Sequence, residues 1–392
     1  MSHPDVVVVG LGAVGSAIVR GLAQHGVAVV GIDRFSPPHD RGSSHGGTRI
    51  TRLAIGEGHE YVPLAQRSHV LWRELEAETG ATLMRTTGLL LLAAPGADAA
   101  PFHGRSGFFE RTVDAARRFG IAHECLDADE VARRWPAFAP RADESGYHER
   151  DAGVLHPEAC VEAQLGVAQR RGAQLRFDER VLRVEPAGAG VAVVTERATL
   201  EAAHVVLAAG AWLPGLLTHS AAAGYEVQRQ VLHWFRSARP EWHAPGAMPP
   251  FLWMHGRGGE AFYGFPMIDG TPGVKLATEH SAHTTDPDRL DRRVDAAESA
   301  ALFEAHVRGR LQGIDATTVR TAACLYTCRP EGRFLVERHA SLEHVTVVSA
   351  CSGHGFKHSA ALGEAVADRI AGRTPRVDLA PFAASPPPAT RG

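Results

Sequence analysis

The chain has 392 residues, enough for one large domain or two closely joined ones, and its 44% hydrophobic and 22% charged content is that of an ordinary soluble globular protein. Disordered and collagen-like chains are excluded, and a formal net charge of −3 supplies no positive field to draw the chain to nucleic acid or an anionic membrane, so the expected partner is a small molecule. Five cysteines, an odd number scattered through the chain, argue against a secreted disulfide framework and for a reducing cytoplasm.

In chain order, no cationic leader precedes the apolar run 6–9, which gives way at once to glycines, so neither a signal peptide nor a membrane-spanning helix is expected. The run is a strand; Gly10-Leu11-Gly12-Ala13-Val14-Gly15 follows, and then Val14, Ala17, Ile18 and Leu22 recur at helical spacing until Gly26. A second strand, 27–32, ends at Asp33, 18 residues beyond Gly15, where a βαβ unit places its ribose-binding acid. The glycines permit a tight turn and close approach to a pyrophosphate, and the helix N-terminus offers it free N–H groups. This fingerprint indicates a dinucleotide and leaves NAD and FAD open.

Further along, 181–185 and 191–195 pair as strands, and 203–209 is a buried strand ending at Gly210. A proline-rich loop at 240–250 leads into aromatic-rich strand pieces over 251–275. A last buried strand, 345–350, runs into Ser352-Gly353-His354-Gly355-Phe356-Lys357 and a helix over 360–370, and the Pro-rich segment 385–392 reads as a loose tail. The fold class is therefore α/β, a nucleotide-binding domain assembled from separated segments with a second domain inserted.

The cationic residues are lopsided, with 39 arginines and only two lysines, Lys275 and Lys357. Codon bias explains the trend and makes its two exceptions informative, because a compact ammonium does what a planar guanidinium cannot.

Several blocks together, Gly10 to Gly15, Gly42-Ser43-Ser44-His45-Gly46-Gly47-Thr48-Arg49-Ile50-Thr51-Arg52, Gly56-Glu57-Gly58-His59-Glu60-Tyr61-Val62-Pro63-Leu64, Cys324-Leu325-Tyr326-Thr327 and Ser352 to Lys357, resemble the monomeric sarcosine oxidase and N-methyltryptophan oxidase family of flavin-dependent amine oxidases. The resemblance spans nearly the whole chain, though 86–150 and 215–250 carry little of it. It implies a Rossmann-like FAD-binding domain from 1–85, 150–222 and 318–392, with a mainly antiparallel substrate domain from 86–149 and 223–317. It implies FAD as cofactor, held by Gly10, Gly12, Gly15, Asp33, Arg34, Ser43, His45, Thr48, Gly353 and Gly355, and joined covalently through Cys324. Cys328, four residues on, lacks the motif and is taken as a bystander.

By the same resemblance Arg49 and His354 lie against the flavin ring, and Tyr263 and Tyr326 wall the substrate cavity. Arg52 and Lys357 capture the carboxylate of an amino acid, a task suited to a planar fork and a fixed ammonium. Lys275 activates O2, since a nearby cation stabilises the charge that develops there. The implied reaction is oxidation of a secondary amine such as an N-methyl amino acid to an imine, with O2 reduced to hydrogen peroxide, by a monomer that holds no metal. The alternatives are a cyclic imino acid, a glycated amino acid or a biosynthetic intermediate as substrate and, in other classes, an NAD-dependent dehydrogenase or a non-catalytic flavoprotein.

Three departures from the family stand out. Gly47 replaces an acid before Thr48-Arg49. Glu279 stands where a pocket histidine is expected after Lys275, with His280 one residue further, so either the loop is longer or an anionic side chain lines the pocket. Cys351 replaces a bulkier apolar residue.

Overall fold

The computed structural model describes residues 4–384 except 98, 100, 257, 269, 271 and 280–282, so the tail at 385–392 and His280 lie outside the described residues. Its centre is a six-stranded sheet in the order Leu335–Arg338, Val345–Ser349, His204–Leu207, Val6–Val9, Val29–Ile32 and Gln174–Arg176. All neighbours are parallel except the edge pair Leu335–Arg338 and Val345–Ser349. Val6–Val9 is buried on both faces, which is why it reads as an unbroken run of valine rather than an alternating one.

The helix Ala13–Gln24 follows at once and packs against Ser359–Ile370. Glycine allows that approach: a Cβ at Gly21 would come within 2.7 Å of the Ala367 methyl, and one at Gly363 would overlap Ala17. The second strand begins at Val29 rather than at 27, because the Val27 N–H donates to the Leu22 carbonyl (3.1 Å) and closes the helix end. The expected pair becomes Val181–Ala187 against Gly190–Thr195, antiparallel, with Thr199–Ala202 as a third strand.

An eight-stranded mixed sheet forms the second layer system, in the order Ile314–Cys328, Glu226–Ser237, Val274–Ala277, Ala261–Phe265, Phe251–Met254, Leu89–Ala93, Ser145–Glu149 and Glu124–Leu126. Only Leu89–Ala93 and Phe251–Met254 pair in parallel. The expected boundary at 318 falls inside the 15-residue strand Ile314–Cys328, which pairs with Glu226–Ser237 as far as Cys328. A three-stranded sheet of Arg49–Thr51, Gly153–Leu155 and Met84–Thr86 lies beside these two systems. Among the described residues no helix is long and apolar enough to cross a membrane.

Candidate active site and cofactor cavity

Gly10 ends the first strand at φ +90°, a conformation that L side chains rarely adopt, and a Cβ there would sit 2.5 Å from the Ala208 carbonyl oxygen. A Cβ at Gly15 would overlap the Gly10 carbonyl. These two glycines let strand, turn and helix close on one another. Asp33 closes the unit from the other side: Oδ2 accepts from the Leu11 N–H (2.7 Å) and Oδ1 from the Phe35 N–H (2.9 Å). Arg34 pairs with Asp288 at 2.9 Å and lies over the Trp212 ring, 4.7 Å from its centroid.

From this turn a cavity of about 460 Å³ extends past Gly12, Ser43 and Thr48 to Arg49, Cys324 and Tyr326 and ends among Arg52, Glu57, Tyr263, Glu279, Gly353, His354 and Lys357. The dinucleotide fingerprint and the motifs far from it in the chain thus line one cavity. The wall fits a flavin dinucleotide on its own chemistry. Gly12 faces the cavity at the cap of the first helix, and the buried Thr327 hydroxyl in the same wall has no partner of its own.

Arg49 donates to the Ser43 carbonyl (2.6 Å) and the Thr48 carbonyl (2.8 Å), so the Ser/Gly/His loop folds around its guanidinium. Its NH2 stands 3.9 Å from Cys324 Sγ. Cys324 is 1% exposed; burial pushes its thiol pKa up while Arg49 pulls it down. Cys328 instead contacts the Gln228 side chain at 3.3 Å and does not line the cavity. Cys351 does line it, with Sγ accepting from the Thr327 N–H at 3.4 Å.

Both lysines are interior. Lys275, 2% exposed, donates to the carbonyls of Gly46 (2.9 Å) and Thr48 (3.1 Å) and to the Thr48 hydroxyl (3.0 Å), behind the cavity wall rather than on it. Burial, then the Arg49 charge, holds its pKa well below the ordinary lysine value. His45 is buried in the same region with Nε2 unpartnered, and burial with Arg49 brings it down to about 4. The acid missing at Gly47 arrives from another element: Glu158, in the first turn of Pro157–Arg170, accepts from the N–H groups of Gly46 (2.7 Å) and Gly47 (3.1 Å).

Arg52 and Lys357 meet at a carboxylate of the protein itself, Glu57. Arg52 donates to Glu57 Oε2 and the Ala54 carbonyl at 2.7 and 2.6 Å, while Lys357 Nζ donates to the His354 carbonyl at 2.8 Å and lies 3.6 Å from Glu57 Oε1. Burial pushes the Glu57 pKa upward, but Arg52, then Lys357 and His103, outweigh it and hold it well below the usual carboxylate range. Lys357 is brought down to about 8 by burial, against the pull of Glu57.

His354 donates from Nε2 to the Gly332 carbonyl (2.9 Å) and stacks on Phe334. Burial holds it well below its ordinary value, so the ring is neutral beside the cations. Gly353, at φ +81°, leaves room that a Cβ would take from Tyr326 and His103, and a Cβ at Gly355 would overlap the Ala350 carbonyl. The Tyr263 and Tyr326 hydroxyls are 3.5 Å apart, and burial raises both. Of the two outcomes open for the loop after Lys275, the structure has the anionic one: Glu279 lines the cavity.

Sequence reasoning missed His103, Glu158 and Asp288 and gave Glu57 no role. Glu57 was within reach, since it lies inside a quoted motif. The other three come from segments with no pattern of their own and reach the site only through the fold.

Residues 5–369 match the family described as FAD dependent oxidoreductase. The chain belongs to that family. This decides the choice left open by the glycine fingerprint, and FAD dependence follows. The FAD-dependent chain is 38% identical over 372 residues to monomeric sarcosine oxidase from Streptomyces avermitilis, covering 93% of this chain and 92% of that protein. It is 30% identical over 380 residues to N-methyl-L-tryptophan oxidase from Salmonella heidelberg, covering 96% and 97%. Among solved structures, NikD, an unusual amino acid oxidase, superposes with a TM-score of 0.82 at 24% identity over 98% of each chain, and glycine oxidase from Geobacillus kaustophilus with 0.76 at 22% over 98% and 99%. At that identity these two show the fold.

Proposed function

We propose that this FAD-dependent oxidoreductase oxidises a secondary amine that bears a carboxylate, with N-methyl amino acids as its substrate class. The observation that carries this is the single cavity in which the dinucleotide turn at Gly10 to Asp33 leads to Arg52 and Lys357. The overall reaction is amine plus O2 plus water giving aldehyde, primary amine and hydrogen peroxide, through an imine that water hydrolyses.

Gly10, Gly12, Gly15, Asp33, Arg34, Ser43, His45, Thr48, Gly353 and Gly355 would hold FAD, which would supply the two-electron acceptor for the amine and the reductant for O2. In this proposal Cys324 would hold the flavin through a thioether, and Arg49, 3.9 Å from its sulfur, favours the thiolate form of that side chain. Arg52 and Lys357 orient the substrate carboxylate, and Glu57 holds the two cations side by side. Tyr263 and Tyr326 wall the amine in, and the neutral His354 ring adds no competing charge. Lys275 provides the buried amino group for oxygen reduction, and the Gly46 and Thr48 carbonyls and the Thr48 hydroxyl favour its charged form against the burial that disfavours it.

We also propose a FAD-binding region from 1–85, 150–222 and 318–392 and a substrate region from 86–149 and 223–317, in a monomer that works in the cytoplasm. The deciding experiment is a denaturing gel viewed under ultraviolet light after acid treatment, run beside anaerobic titration of the yellow protein with N-methyl amino acids. A fluorescent band absent from Cys324→Ala, with bleaching of the flavin by amine, is the expected result. A colourless protein, or flavin that no amine bleaches, overturns the proposal.

A further inference from the structure

Glu279 follows the strand Val274–Ala277 and faces the substrate end of the cavity with its side chain 22% exposed. It stands over Gly353 and beside Tyr326: a Cβ on Gly353 would lie 3.2 Å from Glu279 Oε1 and 3.1 Å from the Tyr326 ring. Its partner comes from a distant segment. His103 Nε2 is 2.8 Å from the Glu279 carboxylate, and His103 Nδ1 is 3.1 Å from Glu57 Oε1. Acceptors on both ring nitrogens require a proton on each, so the ring is an imidazolium between two carboxylates.

The backbone fixes this ring in place. His103 sits at φ +48°, a Cβ on Gly332 would come within 2.5 Å of the His103 carbonyl oxygen, and one on Gly104 would overlap Glu331. Burial lowers the ring's affinity for its second proton, but Glu279 and then Glu57 outweigh that and carry the pKa up to about 9.

The two carboxylates differ in what they present to the cavity. Glu57 is 2% exposed and meets Arg52, Lys357 and His103, so its charge is enclosed and spent. Glu279 has both carboxylate oxygens 2.8 Å from His103 Nε2 but meets no Arg or Lys among the described residues, and its side chain, 22% exposed, lines the cavity beside Tyr326 and Gly353. The substrate end is therefore bipolar, with Arg52 and Lys357 as its cationic wall and Glu279 as its anionic one.

We infer that Glu279, locked by His103, is a specificity-determining residue: it admits amines that carry one carboxylate and neutral or cationic substituents, and turns away those with a second carboxylate. This inference rests on the proposed amine oxidation and names the substrate class within it. The second carboxylate would stand against a like charge held in place at the wall of the same cavity.

The test compares matched substrates on the holoenzyme by steady-state O2 uptake, with anaerobic flavin reduction to check that each is oxidised, pairing N-methylalanine with N-methylaspartate and sarcosine with iminodiacetate. The expected wild-type preference for the monocarboxylate, read as kcat/KM, is about a hundredfold in at least one pair. Glu279→Gln should cut that ratio by about tenfold, chiefly through a lower KM for the dicarboxylate. His103→Gln leaves the carboxylate and should keep the ratio or raise it. A residue that only supports the fold would instead change both members of a pair alike in both variants. The inference is overturned, with the proposed function intact, if the wild type does not discriminate in either pair or if Glu279→Gln leaves the ratio unchanged. If no carboxylated secondary amine reduces the bound flavin, the proposed function fails and takes the inference with it.

Discussion

The two lysines are the residues where a small side-chain difference carries the most chemistry. In a chain that otherwise uses arginine, Lys275 is buried against the Gly46 and Thr48 carbonyls and Lys357 between the His354 carbonyl and Glu57, places that suit a compact ammonium better than a planar guanidinium. Lys275→Met should slow flavin re-oxidation by about a hundredfold while leaving anaerobic reduction within a few-fold, as stopped-flow traces of the two half-reactions would show. Equal losses in both would remove its oxygen role.

Lys357 makes a pH prediction with a definite sign. Its pKa is lowered to about 8 by burial, so it is charged below that pH and neutral above it, and affinity for an anionic ligand should fall as pH rises through 8. The facing groups are Glu57, Arg52, Glu279 and the neutral His354, and His103 gives up its own charge near 9. Acetate binding, followed by the flavin spectrum between pH 6 and 10.5, should therefore weaken in two stages. Lys357→Gln should retain only the upper one.

At the scale of elements, the site is held by carboxylates that bind loop backbone. Glu149, at the end of Ser145–Glu149, is fully buried and accepts from the N–H groups of Leu53 (2.6 Å) and Ala54 (3.0 Å) and from the Tyr147 hydroxyl (2.9 Å), which fixes the chain just after Arg52. Glu149→Gln turns one acceptor into a donor facing another donor. It should cost about 1–3 kcal/mol in chemical denaturation and raise KM more than it lowers kcat. Glu158 does the same for Gly46 and Gly47, where the local sequence has lost its own acid. The expected helix and strands of the dinucleotide unit formed close to where the sequence placed them, the second strand starting at Val29 rather than at 27, because contiguous residues decide that pattern. The pairing of His103 with Glu279 joins residues 176 apart, and no spacing rule reaches across that distance.

At the scale of the molecule, one cavity is lined by residues of both the six-stranded and the eight-stranded sheets, with Gly10 and Tyr263 both in its wall. A ligand bound only by the native state stabilises it by mass action. Flavin-free Cys324→Ala should therefore melt several degrees below the same variant saturated with FAD, an expectation of the size given by a ligand at about a hundred times its Kd. Differential scanning calorimetry of the two samples checks this, and equal melting temperatures would place the flavin outside the fold's core. Sedimentation of the holoenzyme should give a single species of 41.9 kDa, the chain mass, at micromolar concentration.

The sequence alone determined the dinucleotide turn, the strands around it and the identity of the motif residues, because each depends on neighbours within a few positions: a glycine for a positive φ, a β-branched run for a buried strand, an acid at the end of the second strand. Only the tertiary structure decided the charge of the substrate end. That charge is a sum over Arg52, Glu57, His103, Glu279 and Lys357, which four separate segments deliver to one place. Electrostatic interaction depends on distance through space and on burial, and neither quantity exists until the chain has folded.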